Sequence, residues 1–327
     1  MRLLISRAIF SDRFSVQDGL RAIFEKGGIY LFLLILMVIA GVVAPEFYAR
    51  QNIVNIINMA VPLGIVSIGQ TFVILLGGLD ISVASIMATS AVVVANMTNG
   101  QDHLLVPVGL FCLAFSMAIG LGNGYLVTKR HISPLIATLG MSIVVQGIRF
   151  IYTKGAPKGT LPPMLRFLGT GSIGPIPTSV FILAIVFILA ALLLYKTPLG
   201  RKFYTVGGSP KAASLSGINV DGIIILSFVF SGLLAGLAGL VLAGWIGLVD
   251  NWVGKDYELD SIAAVVMGGT SFGGGKGGVG GTLVGVLIMV ILFNLVLLLR
   301  LPIQTQYIVK GLVIVTAAAF YIKRRMD

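Results

Sequence analysis

The chain is poor in charged residues. Asp, Glu, Lys and Arg fill only 11% of its 327 positions, whereas the hydrophobic types fill 57%. Soluble globular proteins carry about 25% charged residues and roughly 45–50% apolar ones. Too few charged side chains remain to cover a water-soluble particle of this size, and those present cluster between long apolar runs. The composition therefore predicts a protein whose main solvent is the lipid bilayer.

Cysteine and histidine are almost absent. The single cysteine, Cys112, lies in an apolar run, so an intramolecular disulfide is excluded and a buried side chain is expected. His103 and His131 are far apart in sequence and adjoin no carboxylate at a ligand spacing, which disfavours a metal site. The net charge of +11 lies in short clusters beside apolar runs rather than along a basic face with interleaved aromatics. This placement disfavours nucleic-acid binding.

Ten apolar segments predict an all-α, polytopic membrane protein with a single transmembrane domain over residues 1–327. A full crossing needs about 20 apolar residues, so the third and eighth segments are expected to be broken or half-length helices inside the bundle. The ten predicted spans are 28–44, 53–76, 81–98, 104–128, 133–152, 179–195, 223–248, 259–270, 279–299 and 304–322.

The distribution of cations predicts the orientation. With the N-terminus inside, fifteen of the 23 Lys and Arg residues fall in cytoplasmic segments and six in outer ones. Both termini are therefore expected in the cytoplasm, with residues 1–27 as an N-terminal cytoplasmic segment. Arginines interrupt the apolar residues of this segment, so we do not expect it to be a cleavable signal peptide. An interfacial helix and a solvated tail both remain open for it.

Two loops differ from the rest in composition. Residues 153–178 are rich in Gly and Pro, which predicts an irregular outer cap with a short helix, facing a soluble partner. Residues 196–222 form the longest predicted inner loop. Within it, Ser209 is the predicted N-cap of a short helix, Pro210 its first residue and Gly217 its end. A short exposed helix on this side is what a membrane subunit needs to dock a cytoplasmic one.

The glycine-rich stretch 268–281 resembles a phosphate-binding loop but lacks its spacing. The pattern G-x4-G-K-[ST] would require Gly at position 270 and Ser or Thr at position 277, where the chain has Thr270 and Gly277. We expect these glycines to permit close backbone packing and a break between two spans. Segments 71–82 and 262–273 also share an apolar run that leads into Gly-Gly and a polar turn, which is typical of an internal repeat in a transporter.

Polar side chains within the predicted spans are candidates for a translocation path or gate. Amides offer both donors and acceptors, which suits a hydroxylated solute, but hydrogen bonding between helices explains each of them about equally well. Asp80 is the most isolated carboxylate, and it either contacts solute or acts as an N-cap-like group for a helix that begins near Ile81. The candidate residues are Asn58, Gln70, Asp80, Asn123, Gln146 and Asn294.

Two cations fall inside predicted spans. We expect Arg149 and Lys310 to extend towards a membrane interface along their aliphatic stems. Glu258 and Asp260 lie at an outer helix start, where the helix dipole favours carboxylates. No HExxH motif, nucleophile elbow or pair of catalytic carboxylates is present, so the chain is predicted to be a non-catalytic subunit.

Three separated segments carry a resemblance to a known family. GGLDISVAS (77–85), GRKFYTVGGSPKAASLSGINV (200–220) and YELDSIAAVVMGGTSFGGGKGGVGGT (257–282) resemble the permease subunits of ribose-type ABC importers, in matching order. The resemblance implies about ten transmembrane helices, a multi-pass location in the bacterial inner (cytoplasmic) membrane and a pathway for a sugar or sugar-like solute. It also implies that residues 196–222 are the coupling loop to the ATPase, with a coupling helix made by Gly207, Gly208, Ser209, Ala212, Ala213, Ser216 and Gly217.

The resemblance further implies three partners: a second permease subunit, a cytoplasmic ATP-binding cassette protein and a periplasmic solute-binding protein. No cofactor is expected in this chain, because ATP and magnesium would bind the cytoplasmic partner. The chain departs from the family in having Ser209 where Asn is usual, and Phe320-Tyr321 where many relatives have Asp. We expect the helix cap at Ser209 to persist, because serine also caps helices well.

Two alternatives remain open at the level of sequence. An ion-gradient-driven secondary transporter would use ionisable groups at mid-membrane, for which only Asp80 and Lys310 are candidates. A branched-chain amino-acid ABC permease would need groups that capture an ammonium and a carboxylate. The sequence identifies neither the solute nor whether the permease pair contains two copies of this chain or one copy and a homologue.

Overall fold

The computed structural model describes residues 16–308, 310–313 and 315, with side chains from residue 28 onward. The predicted N-terminal tail before Val16, the end of the tenth predicted span and the departure at Phe320-Tyr321 lie outside the described residues. The elements are α1 (Val16–Val43), α2 (Arg50–Ile74), α3 (Val83–Thr98), α4 (Leu105–Lys129), α5 (Pro134–Thr153), α6 (Pro163–Thr170), β1 (Ser172–Ile173), β2 (Ile176–Pro177), α7 (Thr178–Lys196), α8 (Pro198–Gly208), α9 (Pro210–Leu215), α10 (Val220–Ile246), α11 (Tyr257–Met267) and α12 (Val279–Leu298). Residues 305–308 and 310–313 are also helical.

Helix lengths support a multi-pass membrane protein. Within the described ranges, six helical segments are long and apolar enough to cross a membrane, and they contain α2, α4, α5, α7, α10 and α12. Two shorter apolar helices, Gly28–Val43 and Val83–Thr98, accompany them. The third and eighth predicted spans are short, as expected: α3 has 16 residues and α11 has 11. The number of ten crossings and the position of the termini remain predictions.

Helix α10 lies at the centre of the bundle, where it packs mainly against α4, α2 and α3. Glycines permit the closest approach. A Cβ atom on Gly120 of α4 would overlap the carbonyl oxygen of Phe228, and one on Gly232 of α10 would overlap that of Ser116. Because lipid tails are as apolar as leucine, helices in a bilayer associate through such close packing rather than through a hydrophobic driving force. The glycines of α10 are thus explained by its central position.

The segment 153–178 folds back onto the bundle. It contains α6 and the antiparallel pair of β1 with β2, so the predicted short helix is present, whereas the outer position of the cap stays a prediction. Asp102 Oδ1 accepts a hydrogen bond from the backbone N of Met164 at 2.8 Å, in the first turn of α6. A Cβ on Gly169 would overlap the backbone of Gly244, so α6 lies directly against the end of α10.

The predicted inner loop 196–222 contains two helices rather than one. The Ser209 side chain accepts a hydrogen bond from Ala212 N at 3.2 Å and caps α9, as predicted. Helix α8 was not predicted, although Thr197 caps it in the same way, with its Oγ1 accepting from Gly200 N at 3.2 Å. Thr197-Pro198 and Ser209-Pro210 are therefore the same start motif used twice, with proline at the first helical position.

Candidate functional site

Helix α9 forms an exposed tip between α8 and α10. Only Ala213 of its six residues is fully buried, and it anchors the helix to the bundle. Leu215, in contrast, is 84% exposed, one of the most exposed large apolar side chains in the described part of the chain. Gly217 then adopts a φ of +76°, which ends the segment where the sequence predicts. The predicted coupling residues Ser209, Ala212, Ser216 and Gly217 are exposed around this tip.

Behind the tip, three stretches of backbone meet, and we call this meeting point the glycine junction. It consists of Leu75 to Gly77 after α2, Gly207 and Gly208 at the end of α8, and Gly273 to Gly278 before α12. The backbone N of Gly275 donates to Leu75 O at 2.8 Å. A Cβ on Gly207 would overlap Leu75 O and lie 2.7 Å from Gly275 N, so the backbones approach as closely as glycine allows.

Side-chain hydrogen bonds hold the same stretches together. Tyr204 Oη, on α8, donates to Gly277 O at 2.9 Å. Burial first and the neighbouring Tyr195 hydroxyl second raise the pKa of Tyr204 to about 12, so the hydroxyl stays protonated and remains a donor. Within the connection, Thr270 Oγ1 accepts from Gly278 N at 3.3 Å. The α8 helix is thereby tied to the connection that leads into α12.

The two segments of the predicted repeat end in the same backbone pattern. After α2, Gly77 N donates to Ile74 O at 2.9 Å and Gly78 N to Val73 O at 3.0 Å. After α11, Gly269 N donates to Val266 O at 2.9 Å and Thr270 N to Val265 O at 3.2 Å. The residue with positive φ is Gly77 in one turn and Gly269 in the other, at +76° and +86°. The first glycine of one Gly-Gly pair, Gly77, therefore corresponds in structure to the second glycine of the other pair, Gly269.

A buried polar cluster lies between the turn after α2 and the start of α3, and we call it the Asp80 cluster. The Asp80 carboxylate is fully buried and accepts from Ser82 N at 2.9 Å, Ser82 Oγ at 2.6 Å and Ser231 Oγ at 2.8 Å. Asn123 Nδ2 donates to Ser82 Oγ at 2.9 Å. Helix α3 begins at Val83 rather than near Ile81, and the Asp80 side chain closes the turn before the helix instead of capping it.

The backbone of Asp80 is held as firmly as its side chain. In the amide orientation that satisfies both atoms, Gln70 Nε2 donates to Asp80 O at 3.3 Å and its Oε1 accepts from Asp80 N at 3.2 Å. Ile81 N donates to Thr138 Oγ1 at 3.1 Å. Three predicted residues, Gln70, Asp80 and Asn123, thus belong to one network that joins α2, α4, α5 and α10. This arrangement supports a structural role for Asp80.

The other predicted path residues lie elsewhere. Asn58, Arg50 and Pro177 line a cavity of about 320 Å³ between the start of α2 and the hairpin formed by β1 and β2. Asn294 exchanges two hydrogen bonds with Asn52, at 3.0 and 2.7 Å, and so joins α12 to α2. Gln146 is partly buried on α5, and the hydrogen bonds of the described residues leave it outside the Asp80 cluster.

Arg149 does not extend to an interface, contrary to the expectation from sequence. It is only 4% exposed, and its guanidinium donates to Ser85 O at 3.0 Å and to Asn251 O at 3.0 Å. Five donors on a rigid fork let one arginine bridge several backbone groups. Arg149 therefore fastens the connection between α10 and α11 to α3 and α5. A charge inside a predicted span was the available clue, because such a charge needs buried partners.

Lys310 is also buried rather than extended to an interface. It is 7% exposed, and its Nζ lies 2.7 Å from Asp260 Oδ1 at the start of α11. Burial of these two charges costs desolvation free energy, and their mutual attraction offsets that cost. The sequence indicates a helix start at Asp260 and a span around Lys310, but their separation of 50 positions hides the pairing.

Comparison with known proteins gives a consistent result. The family described as "Branched-chain amino acid transport system / permease component" matches residues 52–318. The ribose import permease protein of Bacillus subtilis (strain 168) is 40% identical over 298 residues, which cover 90% of this chain and 92% of the relative. The ribose import permease protein of Escherichia coli (strain K12) is 39% identical over 87% of this chain and 90% of the relative. The L-arabinose ABC transporter permease protein of Azospirillum brasilense is 34% identical over 94% of this chain and 91% of the relative. No solved structure matches the chain.

Proposed function

This chain belongs to the permease family of ABC importers that matches residues 52–318, and on that basis we propose that it forms part of the import pathway for a sugar or sugar-like solute. The observation that carries the proposal is 40% identity with a ribose import permease over 90% of the chain. The family description also covers branched-chain amino acids, but the relatives compared above are named for ribose and L-arabinose. A sugar is therefore the favoured solute class.

In this proposal the chain performs no covalent chemistry. Two permease subunits form the pathway in the bacterial inner membrane, each with about ten spans and both termini in the cytoplasm. A cytoplasmic partner binds and hydrolyses ATP with magnesium, and a periplasmic protein delivers the solute. The cap at 153–178 contacts that delivery protein. The cavity beside Asn58 lies under the cap and is the first part of the chain that released solute meets.

The glycine junction transmits the movement of the partner. Helix α9 docks on the ATP-binding protein, with Leu215 as its apolar contact. Displacement of α9 moves α8, to which it is directly joined. Because α8 contacts the turn after α2 and the connection before α12, both must shift with it or lose their hydrogen bonds. The Asp80 cluster keeps the turn after α2 rigid, so the shift reaches α3, α4 and α10 as a unit.

Docking through α9 can be tested with two leucines of similar exposure. Leu215 is 84% exposed and Leu248 is 80% exposed, and they lie beyond opposite ends of α10. We expect Leu215→Asp to release the ATP-binding protein during purification from gently solubilised membranes and to abolish solute-stimulated ATP hydrolysis. Leu248→Asp is the matched control and should retain both. If Leu215→Asp leaves the complex and its coupled hydrolysis intact, α9 is not the docking element.

The importer assignment itself is tested by the energy source. Uptake into membrane vesicles should require ATP and should persist when an uncoupler collapses the ion gradient. Uptake that an uncoupler abolishes, and that ATP depletion leaves unchanged, would establish a secondary transporter instead. Asp80 and Lys310 would then become the residues to examine for ion coupling.

A further inference from the structure

A second cavity, of about 300 Å³, lies within a single chain between α2, α11, α12 and the residues that follow α12. Its volume is at the lower end of the range for small-molecule sites, which is roughly 300–1,000 Å³. Met59 and Leu63 of α2 form one wall, and Val290 and Phe293 of α12 form another. This cavity is separate from the one beside Asn58, with which it shares no lining residue.

The cavity has an exposed rim and a buried floor. Ile303 and Tyr307 on the rim are 59% and 53% exposed. Asp260, Lys310 and Phe293 in the floor are 9%, 7% and 7% exposed. The cavity therefore connects exposed side chains at its rim with buried polar groups in its floor.

The charges that line the cavity are balanced, and the two buried ones are paired with each other. Lys310 Nζ lies 2.7 Å from Asp260 Oδ1. At the rim, Tyr307 Oη donates to Asp256 Oδ2 at 3.1 Å, and Lys255 supplies the second positive charge. With two cations and two carboxylates, the lining carries no net formal charge. An ionic solute would have to break the Lys310–Asp260 pair, which is costly when one partner stays buried.

Neutral hydroxyl groups can bind here without breaking that pair. An ammonium has three donors and a carboxylate about four acceptor positions, so each retains capacity after pairing. The Gln306 amide adds a donor and an acceptor to the lining. Hydrogen bonds to charged groups are also stronger than those between neutral groups.

Aromatic rings provide the apolar part of the lining. Trp245, Tyr257, Phe293 and Tyr307 all contribute to it. The rings of Phe293 and Tyr307 have their centroids 5.8 and 5.4 Å from Lys310 Nζ, so ring faces and the charged pair meet in the same small volume. Such a lining matches a solute with both hydroxyl groups and an apolar C–H face.

We propose that this cavity is a binding site for one molecule of a neutral monosaccharide, held by hydrogen bonds to Lys310, Asp260 and Gln306 and by ring contacts with Trp245 and Tyr307. The inference rests on the proposed function and extends it, because it assigns to the permease a solute site of its own on the route past α2 and α12.

The chain contains two tryptophans, which makes the site directly observable. Trp245 lines the cavity, whereas Trp252 is 56% exposed and is not part of its lining. Trp252→Phe leaves Trp245 as the single reporter, and Trp245→Phe leaves Trp252 as the matched control. Each variant of the full chain is purified in lipid nanodiscs and titrated with D-ribose, L-arabinose and L-leucine while tryptophan fluorescence is recorded.

We expect a saturable change in Trp245 fluorescence with one or both sugars and no saturable change at Trp252. In the Trp245 reporter background, Tyr307→Ala should weaken the apparent affinity by about two- to twelvefold, the equivalent of one aromatic contact. Tyr307→Phe keeps the ring and should preserve the affinity.

Three results would overturn the inference. The first is no change in Trp245 fluorescence with either sugar up to about 100 mM, a concentration that fills even a site with a millimolar dissociation constant. The second is an equal fluorescence change at Trp252, and the third is a change with L-leucine alone. ATP-driven uptake by the assembled importer is measured in parallel with each reporter variant. ATP-dependent uptake with a silent Trp245 refutes the site and leaves the proposed function intact, whereas uptake that does not need ATP refutes the proposed function.

Discussion

The glycine junction makes a specific prediction about two adjacent glycines. In Gly207→Ala, the new methyl group would overlap the carbonyl oxygen of Leu75 and lie 2.7 Å from Gly275 N. Both obstacles are backbone atoms, which cannot turn aside as a flexible side chain can. At Gly208, a Cβ would meet nothing within 4 Å. Both glycines belong to α8, so alanine raises the helix propensity in each variant.

The expected size of the effect follows from this difference. Extra methyl groups in a packed interior cost about 1–3 kcal/mol. If that cost falls on the closed junction, its population relative to an open one decreases by about 5- to 150-fold. The hydrogen bond from Gly275 N to Leu75 O is then broken in a larger share of the molecules, and less of the movement of α8 reaches the turn after α2.

The assay is solute-stimulated ATP hydrolysis by the assembled importer, with thermal unfolding of the purified chain as a check on folding. Gly207→Ala should retain assembly, because α9 is unchanged, yet lose most of the stimulation. Gly208→Ala should hydrolyse ATP like the unaltered chain. Full stimulation in Gly207→Ala, or an equal loss in both variants, would show that coupling does not pass through the junction.

Three further sets of substitutions test the buried polar groups. Asp80→Ala leaves the backbone N–H of Ser82 without its acceptor and should cost about 1–3 kcal/mol in unfolding free energy. Asp80→Asn keeps an acceptor oxygen and should cost less. A stable Asp80→Asn variant that transports nothing would instead place Asp80 on the solute path. Arg149→Gln removes the anchor of the connection before α11, so trypsin should cleave faster after Lys255, and an unchanged cleavage rate would contradict the anchoring role. Lys310→Met should lower the free energy of unfolding by about 3–5 kcal/mol because it leaves Asp260 buried without its partner. The double variant with Asp260→Leu should recover part of that stability in a thermal unfolding series. If the two substitutions lower the stability additively, the pair does not stabilise the fold.

The positions of the helices could be predicted from sequence because lipid imposes a simple constraint. Every backbone polar group in the membrane must be satisfied within the protein, and a crossing helix needs about 20 apolar residues. The start of α9 could be predicted for a local reason, since a cap hydroxyl bonds to the backbone three residues on. The same rule applied to Thr197-Pro198 would have predicted α8 as well.

The polar contacts inside the bundle could not be predicted in this way. Ser231 is 151 positions from Asp80, and Asn52 is 242 positions from Asn294. A polar residue in an apolar span must find a partner, but its sequence neighbours do not say whether that partner is solute, lipid headgroup or another helix. Among the predicted path residues, Gln70, Asp80 and Asn123 share one cluster, whereas Asn58 lies in another part of the chain.

Sequence alone determined that this chain is a multi-pass membrane protein, that its glycine-rich stretch lacks the spacing of a phosphate-binding loop and that 196–222 contains an exposed helix. Only the tertiary structure decided which glycines touch which backbone. Gly207 and Gly208 are neighbours of the same type, yet a Cβ on Gly207 would meet the backbone of Leu75 and Gly275, whereas a Cβ on Gly208 would meet nothing within 4 Å. The difference arises from how α8 lies against the turn after α2 and the connection before α12, and such packing depends on the whole bundle around α10 rather than on any local run of residues.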